Sequence, residues 1–220
     1  MRLRAIVVAG LVLSISLVGC LEKKDKNPPL LNIALDGEMG EDGWYVGSVS
    51  ITMNATDNES GIKEMKYRIN GDFWKDYVMP IRLNRDGFYF MEFYAKDGKG
   101  NEVHKNMSIK IDATSPSINF SNFEPGYIYF LGIKMITPRI PRDTMVIGNY
   151  MIEVSASDAL SGIKKVEFYL GKGKTYEDNE APFQWTIEKA FGIYNVTAVA
   201  FEHAGNYAEV CIEEVQFINL

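Results

Sequence analysis

The sequence predicts an all-β protein built as two antiparallel β-sandwich domains in tandem, and three observations carry that expectation. Apolar residues alternate with a period of two along most of the chain. A block of sequence recurs about 100 residues after its first appearance. Beyond the first 19 residues no long stretch has a 3.6-residue apolar period, so helices are few. A composition of 46% hydrophobic and 12% aromatic residues over 220 positions supplies enough apolar mass for such cores and argues against intrinsic disorder.

The first segment is separate from the fold. Arg2 and Arg4 precede Ala5 to Gly19, apolar apart from Ser14 and Ser16. That stretch has the length of a secretory signal core and falls short of the roughly 20 apolar residues a spanning helix needs. It ends in Leu17-Val18-Gly19-Cys20, which resembles the lipobox of prokaryotic lipoproteins. The resemblance implies cleavage after residue 19, acylation of Cys20, and a membrane partner reached through the lipid on the cell surface. Ordinary cleavage and an uncut anchor are the alternatives, and each leaves the folded part outside the cytoplasm. Residues 20–29 are charged and then proline-stiffened by Pro28 and Pro29, as a linker would be.

Loss of Arg2 and Arg4 would take the 23 basic side chains to 21 against 29 acidic, a net charge of -8. An acidic body does not suit nucleic acid. With Cys20 acylated, Cys211 has no partner, which excludes a disulfide framework, and a lone thiol without a nearby His is structural before it is catalytic.

In the body, Val49, Ile51, Met53 and Ala55 alternate with Ser48, Ser50, Thr52 and Asn54, and Met65, Tyr67 and Ile69 with Lys66 and Arg68. Asn70-Gly71 follows as a tight-turn signal. Ile152, Val154, Ala156 and then Val166, Phe168, Leu170 repeat the pattern. The segment Ala55–Lys63 recurs 101 residues later as Ala156–Lys164, and Pro80, Gly87, Ala95, Gly100 and Asn101 answer to Pro182, Gly192, Ala200, Gly205 and Asn206. The economical division is domain 1 at 30–113 and domain 2 at 114–220, joined by Asp112–Pro116 too tightly for free motion. Between Ser117 and Asn149 the chain is longer than one strand requires. It is expected to supply strand, loop and a cap over the interdomain seam, with Pro138 and Pro141 breaking any continuous ladder.

The runs Gly43–Tyr77 and Asp86–Asn101, and in the second copy Ile152–Gly173 and Ala181–Asn206, resemble the immunoglobulin-like repeats of bacterial and archaeal surface proteins. Those carrying the likeness most are Asp-x-x-Ser-Gly-Ile and the later Gly-Asn. Gly98-Lys99-Gly100-Asn101 and Glu202 depart from the usual Ala-Gly-Asn and Asp. The resemblance implies Ig-like sandwiches that act outside the cell in adhesion, spacing or ligand presentation without catalysis. It also implies core packing for Trp44, Trp74 and Trp185.

Two readings fit the Asp-x-x-Ser-Gly turn. Asp57, Asn58 and Glu59, with Asp97 or Asn101, offer hard oxygen ligands for calcium. In the other reading Asp57, Ser60 and Gly61 simply build a turn, as Asp158, Ser161 and Gly162 do in the second copy. Asn58 and Glu59 become Ala159 and Leu160 there, which favours the turn. No other cofactor is indicated. Along Phe88–Ala95, an inward Ala95 puts Tyr89, Met91 and Phe93 in the core and turns Phe88, Phe90 and Tyr94 outward, a stripe suited to stacking on sugar or peptide unless the neighbouring domain covers it. Among five Asn-x-Ser/Thr sequons, Asn54 and Asn195 share the outward parity and are candidates for N-glycosylation.

No Gly-x-Ser-x-Gly, His-Glu-x-x-His or Cys-x-x-Cys motif occurs, and the only histidines are His104 and His203, so no catalytic residues are assigned. The expected role is adhesion or partner binding at the envelope, to surface proteins or glycans. The alternative is a spacer or subunit of an envelope complex. An accessory carbohydrate-binding protein or a paired-carboxylate glycosidase ranks below both.

Overall fold

The computed structural model describes residues 24–135 and 144–219, so the signal-like segment 1–19, Cys20, Pro138 and Pro141 lie outside the described residues. Among the described residues no helix is long and apolar enough to cross a membrane. The fold is an all-β sandwich, as the period-two alternation predicts.

The first half contains β1 (Leu30–Asp36), β2 (Val49–Thr56), β3 (Ile62–Ile69), β4 (Lys75–Asp76), β5 (Ile81–Leu83), β6 (Gly87–Asp97) and β7 (Glu102–Ile111). They form two antiparallel sheets, ordered β1-β2-β5 and β4-β3-β6-β7. Successive strand side chains point to opposite faces, so Val49, Ile51 and Met53 meet Met91, Phe93 and Ala95 between the sheets. Asn70 and Gly71 take φ of 51° and 76°, the left-handed pair a tight hairpin turn needs, and the Asp72 N–H closes the turn on the Ile69 carbonyl at 3.0 Å.

The second half contains β8 (Ser117–Phe120), β9 (Ile128–Phe130), β10 (Ile133–Met135), β11 (Met145–Ile147), β12 (Tyr150–Ser157), β13 (Ile163–Leu170), β14 (Gly173–Asp178), β15 (Phe183–Ile187), β16 (Ala190–Glu202) and β17 (Tyr207–Asn219). Its sheets run β15-β12-β8 and β10-β9-β11-β17-β16-β13-β14. Setting β9–β11 aside, the strand order is that of the first half, strand for strand. A separate core centres on Ile152, Val166, Phe168, Val196, Ala198 and Ala200.

The long Ser117–Asn149 segment departs from its expected role as a seam cap. β11 pairs in parallel with Gln216–Ile218, at the end of β17 far from the other half, and β9 and β10 extend the sheet beyond it. Tyr129 and Val146 are thereby buried, at 0% and 1% exposure. The pairing widens one sheet at its distal edge because that is where β17 would otherwise present an open ladder.

The seam is covered instead by the β1–β2 loop. The Tyr45 N–H donates to the Lys110 carbonyl (2.8 Å) and its carbonyl accepts from the Asp112 N–H (2.9 Å), pinning the connection. From the same loop the Glu41 N–H donates to the Ala204 carbonyl across the seam at 2.9 Å. Lys164 pairs with Glu41 at 2.6 Å and His203 Nδ1 meets Asp42 at 2.9 Å.

Candidate functional site

Two features stand out: a cluster of carboxylates at the same end of each sandwich, and an aromatic sheet face on the first.

Asp57 builds its turn as the residue pattern suggests. Its Oδ1 accepts from the N–H groups of Ser60 (2.6 Å), Glu59 (3.1 Å) and Gly61 (3.1 Å), and these bonds, Ser60 foremost, hold its carboxyl below the usual carboxylate range. Asp158 Oδ1 likewise accepts from Leu160 and Gly162, both at 2.9 Å. Gly61 and Gly162 sit at φ of 72° and 76°, where a side chain would be strained.

The oxygen-rich set is not the one read along the turn. Asn58 and Glu59 are exposed, and Glu59 is not among the clustered carboxylates. Asp57 meets Asp97, as one of the sequence alternatives has it, together with Asp25, and Asp158 meets Asp112 and Glu202, with one carboxylate oxygen from each residue of a trio within 4.8 Å of the others. Asp25 and Asp112 each lie five residues ahead of the next strand, β1 or β8. Sequence reasoning missed both, since an acid in a polar linker reads as solvated. The equal spacing to the following strand was the available signal.

The trios differ in how well they are satisfied. Asp25 accepts from Ser60 Oγ at 2.7 Å and the Asn27 N–H at 2.9 Å. Asp97 accepts from the N–H groups of Lys99 (2.8 Å) and Asn101 (2.9 Å) and from Asn101 Nδ2 (2.6 Å). In the second trio Asp112 accepts from the N–H groups of Ser161 (3.0 Å) and Thr114 (3.3 Å), and Glu202 Oε1 from Asn206 Nδ2. Glu202 is fully buried, yet its Oε2 is the one buried side-chain nitrogen or oxygen among the described residues without a hydrogen-bond partner. Burial, with the charges of Asp112 and Asp158 and against the Asn206 bond, pushes the Glu202 carboxyl up to about 7.

The aromatic face follows from strand parity. Met91, Phe93 and Ala95 are fully buried, whereas Phe88 and Phe90 are 58% and 44% exposed. Tyr94 shares their face but is half-buried, its ring 4.9 Å from His104 and 5.9 Å from Trp74. Phe88 packs edge-on against Trp44 at 5.1 Å. Between these groups Arg68 grips Glu92 through two bonds of 2.6 and 2.7 Å and lies 4.8 Å over Trp74. A 240 Å3 cleft lies among Glu64, Lys66, Trp74, Tyr94 and His104.

Trp185 packs in the second core as expected; Trp44 is buried but against Phe88 and Lys110 on the outer face, outside the first core, and Trp74 is 38% exposed. It leads into β4, a two-residue edge strand exposed throughout, and so lies across the outer sheet face instead of entering the core. Asn54 and Asn195 are exposed. Asn195 Oδ1 also accepts from the Glu214 N–H at 3.1 Å. Cys211 is exposed, with Thr197 Oγ1 3.3 Å from its sulfur.

Residues 135–198 match the family model of the bacterial Ig domain. None of the curated proteins matches the chain. Among solved structures, fibronectin(III)-like modules of CbhA from Clostridium thermocellum align over 86% of this chain and 94% of theirs, at 13% identity and a TM-score of 0.40. The PKD1 domain of the Vibrio cholerae metalloprotease PrtV aligns over 39% of this chain and 99% of its own, at 17% identity and a TM-score of 0.31. The SGBP-B protein of a Bacteroides ovatus mixed-linkage glucan utilization locus, solved with a mixed-linkage heptasaccharide, aligns over 88% of this chain and 48% of its own, at 13% identity and a TM-score of 0.30. The chain is thus an all-β sandwich protein that, over residues 135–198, is similar to bacterial Ig domains.

Proposed function

We propose that this chain is a non-catalytic binding protein of the cell envelope, exported by residues 1–19, anchored through acylated Cys20, and carrying two homologous Ig-like domains. The outer face of the β4-β3-β6-β7 sheet holds an envelope glycan. The observation that carries this reading is the row of Phe88 and Phe90, exposed on the outer sheet face and continued by Tyr94, Trp74 and His104. Aromatic rings stack on the apolar faces of sugar rings, and Glu92, Asn106 and His104, cross-strand neighbours on that face, can meet the hydroxyls.

Binding of the full chain to a panel of envelope polysaccharides tests it. Phe88→Ser combined with Phe90→Ser should weaken binding about ten-fold or more; Phe88 also packs on buried Trp44, so Phe90→Ser alone is the variant that should weaken binding while leaving the melting temperature unchanged. Equal binding by the double variant, or no glycan bound by the wild-type chain, overturns the assignment. The bonds across the seam favour a second reading, a stiff spacer within an envelope complex, which a membrane partner copurifying equally with wild type and double variant would support.

A further inference from the structure

We propose that Asp112, Asp158 and Glu202 bind a calcium ion where the two sandwiches join. Three observations converge there. One carboxylate oxygen from each residue lies within 4.8 Å of the others, and oxygens sharing one calcium at 2.3–2.6 Å are never more than about 5 Å apart. Asp112 and Glu202 are 1% and 0% exposed, so their charges are withheld from water, and the donors that reach the trio are backbone N–H groups, Ser161 and Asn206, none of them cationic. The decisive feature is Glu202, whose buried Oε2 no donor reaches and one of whose carboxylate oxygens lies within 4.8 Å of those of Asp112 and Asp158. Such an atom costs free energy unless something positive sits against it.

The chemistry selects the ion. The trio offers oxygen alone, and the nearest imidazole, His203, is turned to Asp42. Hard oxygen ligands in an irregular arrangement suit calcium better than magnesium, which demands near-octahedral geometry and holds its waters. The corresponding trio of the first sandwich is excluded from the proposal. Asp97 is one methylene shorter than Glu202, and each of its oxygens already accepts a bond.

Position gives the site a consequence. Asp158 and Glu202 belong to the second sandwich, whereas Asp112 sits in the connection, its N–H held by the Tyr45 carbonyl of the first at 2.9 Å. An ion bound by all three ties the connection to the second domain and stiffens the junction.

The experiment uses the full chain, stripped with EDTA and dialysed at about pH 7.5, titrated calorimetrically with calcium chloride and separately with magnesium chloride. One calcium per chain should bind, magnesium at least about ten-fold more weakly, and saturating calcium should raise the melting temperature by about 5 °C or more. Glu202→Gln keeps the side chain's shape and removes its charge. It should abolish the calcium heat and the thermal shift without lowering the calcium-free melting temperature. Should that variant fail to fold, Asp112→Asn, in the connection and outside both apolar cores, gives the same readout. No calcium heat from the wild-type chain up to about 1 mM, or equal calcium affinity in wild type and either variant, overturns the site.

Discussion

Replacing Gly40 with alanine should undock the two sandwiches while leaving both cores intact. A Cβ at this position would lie 2.1 Å from the Ala204 carbonyl oxygen and 2.6 Å from Val46 Cγ1, and the oxygen is backbone that cannot swing aside. That carbonyl is the acceptor of the Glu41 N–H, so relieving the clash breaks the bond that spans the seam. Forcing a methyl into a closed contact and losing one backbone hydrogen bond together cost about 1–3 kcal/mol. The flanking pairs Lys164–Glu41 and His203–Asp42 are each more than a third solvent-exposed and add little. In a chain of this length that loss lowers the melting temperature by about 2–12 °C. Calorimetry reads the shift. Spin labels on Cys211 and on a cysteine placed at exposed Asn84 read the undocking as a broadened distance distribution. Gly47 lies in the same loop with nothing within 4 Å of a Cβ, so Gly47→Ala should match the wild type in both measurements. A Gly40→Ala protein with an unchanged melting temperature and a sharp distance distribution, or a Gly47→Ala protein equally affected, would refute the reasoning.

Glu167 gives a pH dependence. Burial pushes its carboxyl up, but bonds from Lys165 (2.6 Å), Tyr169 and Lys174 (3.2 Å) outweigh it and hold the group at about 2, below the ordinary 4.5. Its stabilisation, roughly 3 kcal/mol, is present above about pH 4.5 and lost as pH falls toward 2, so Glu167→Gln should flatten acid unfolding across that window, and an unchanged acid slope rejects the assignment. Phe168 is fully buried at the centre of the second core, and Phe168→Ala should cost about 3–5 kcal/mol and melt that sandwich ahead of the first; a single transition shifted as a whole to lower temperature would show that the cores unfold together.

What was legible in the sequence was local. Alternation along a strand follows from backbone geometry alone, so Met91, Phe93 and Ala95 inside and Phe88 and Phe90 outside could be read without any partner strand. The Asp-x-x-Ser-Gly turn was equally readable, because its hydrogen bonds close within four residues. Trp74 resisted, since its exposure depends on a neighbouring sheet face and not on its own strand parity. The β9–β11 strands resisted too, because their parallel pairing onto β17 joins residues about 70 positions apart.

The carboxylate trios mark the boundary most sharply. Glu202 in place of the usual Asp reads, along the chain, as a weakened acid, yet packing buries it without a partner for one oxygen and brings its carboxylate to those of Asp112 and Asp158. Residues 112, 158 and 202 come from a connection, a turn and a strand end. Periodicity assigns each residue its own strand face, but burial and proximity among distant residues arise only when the sheets close on one another and exclude water.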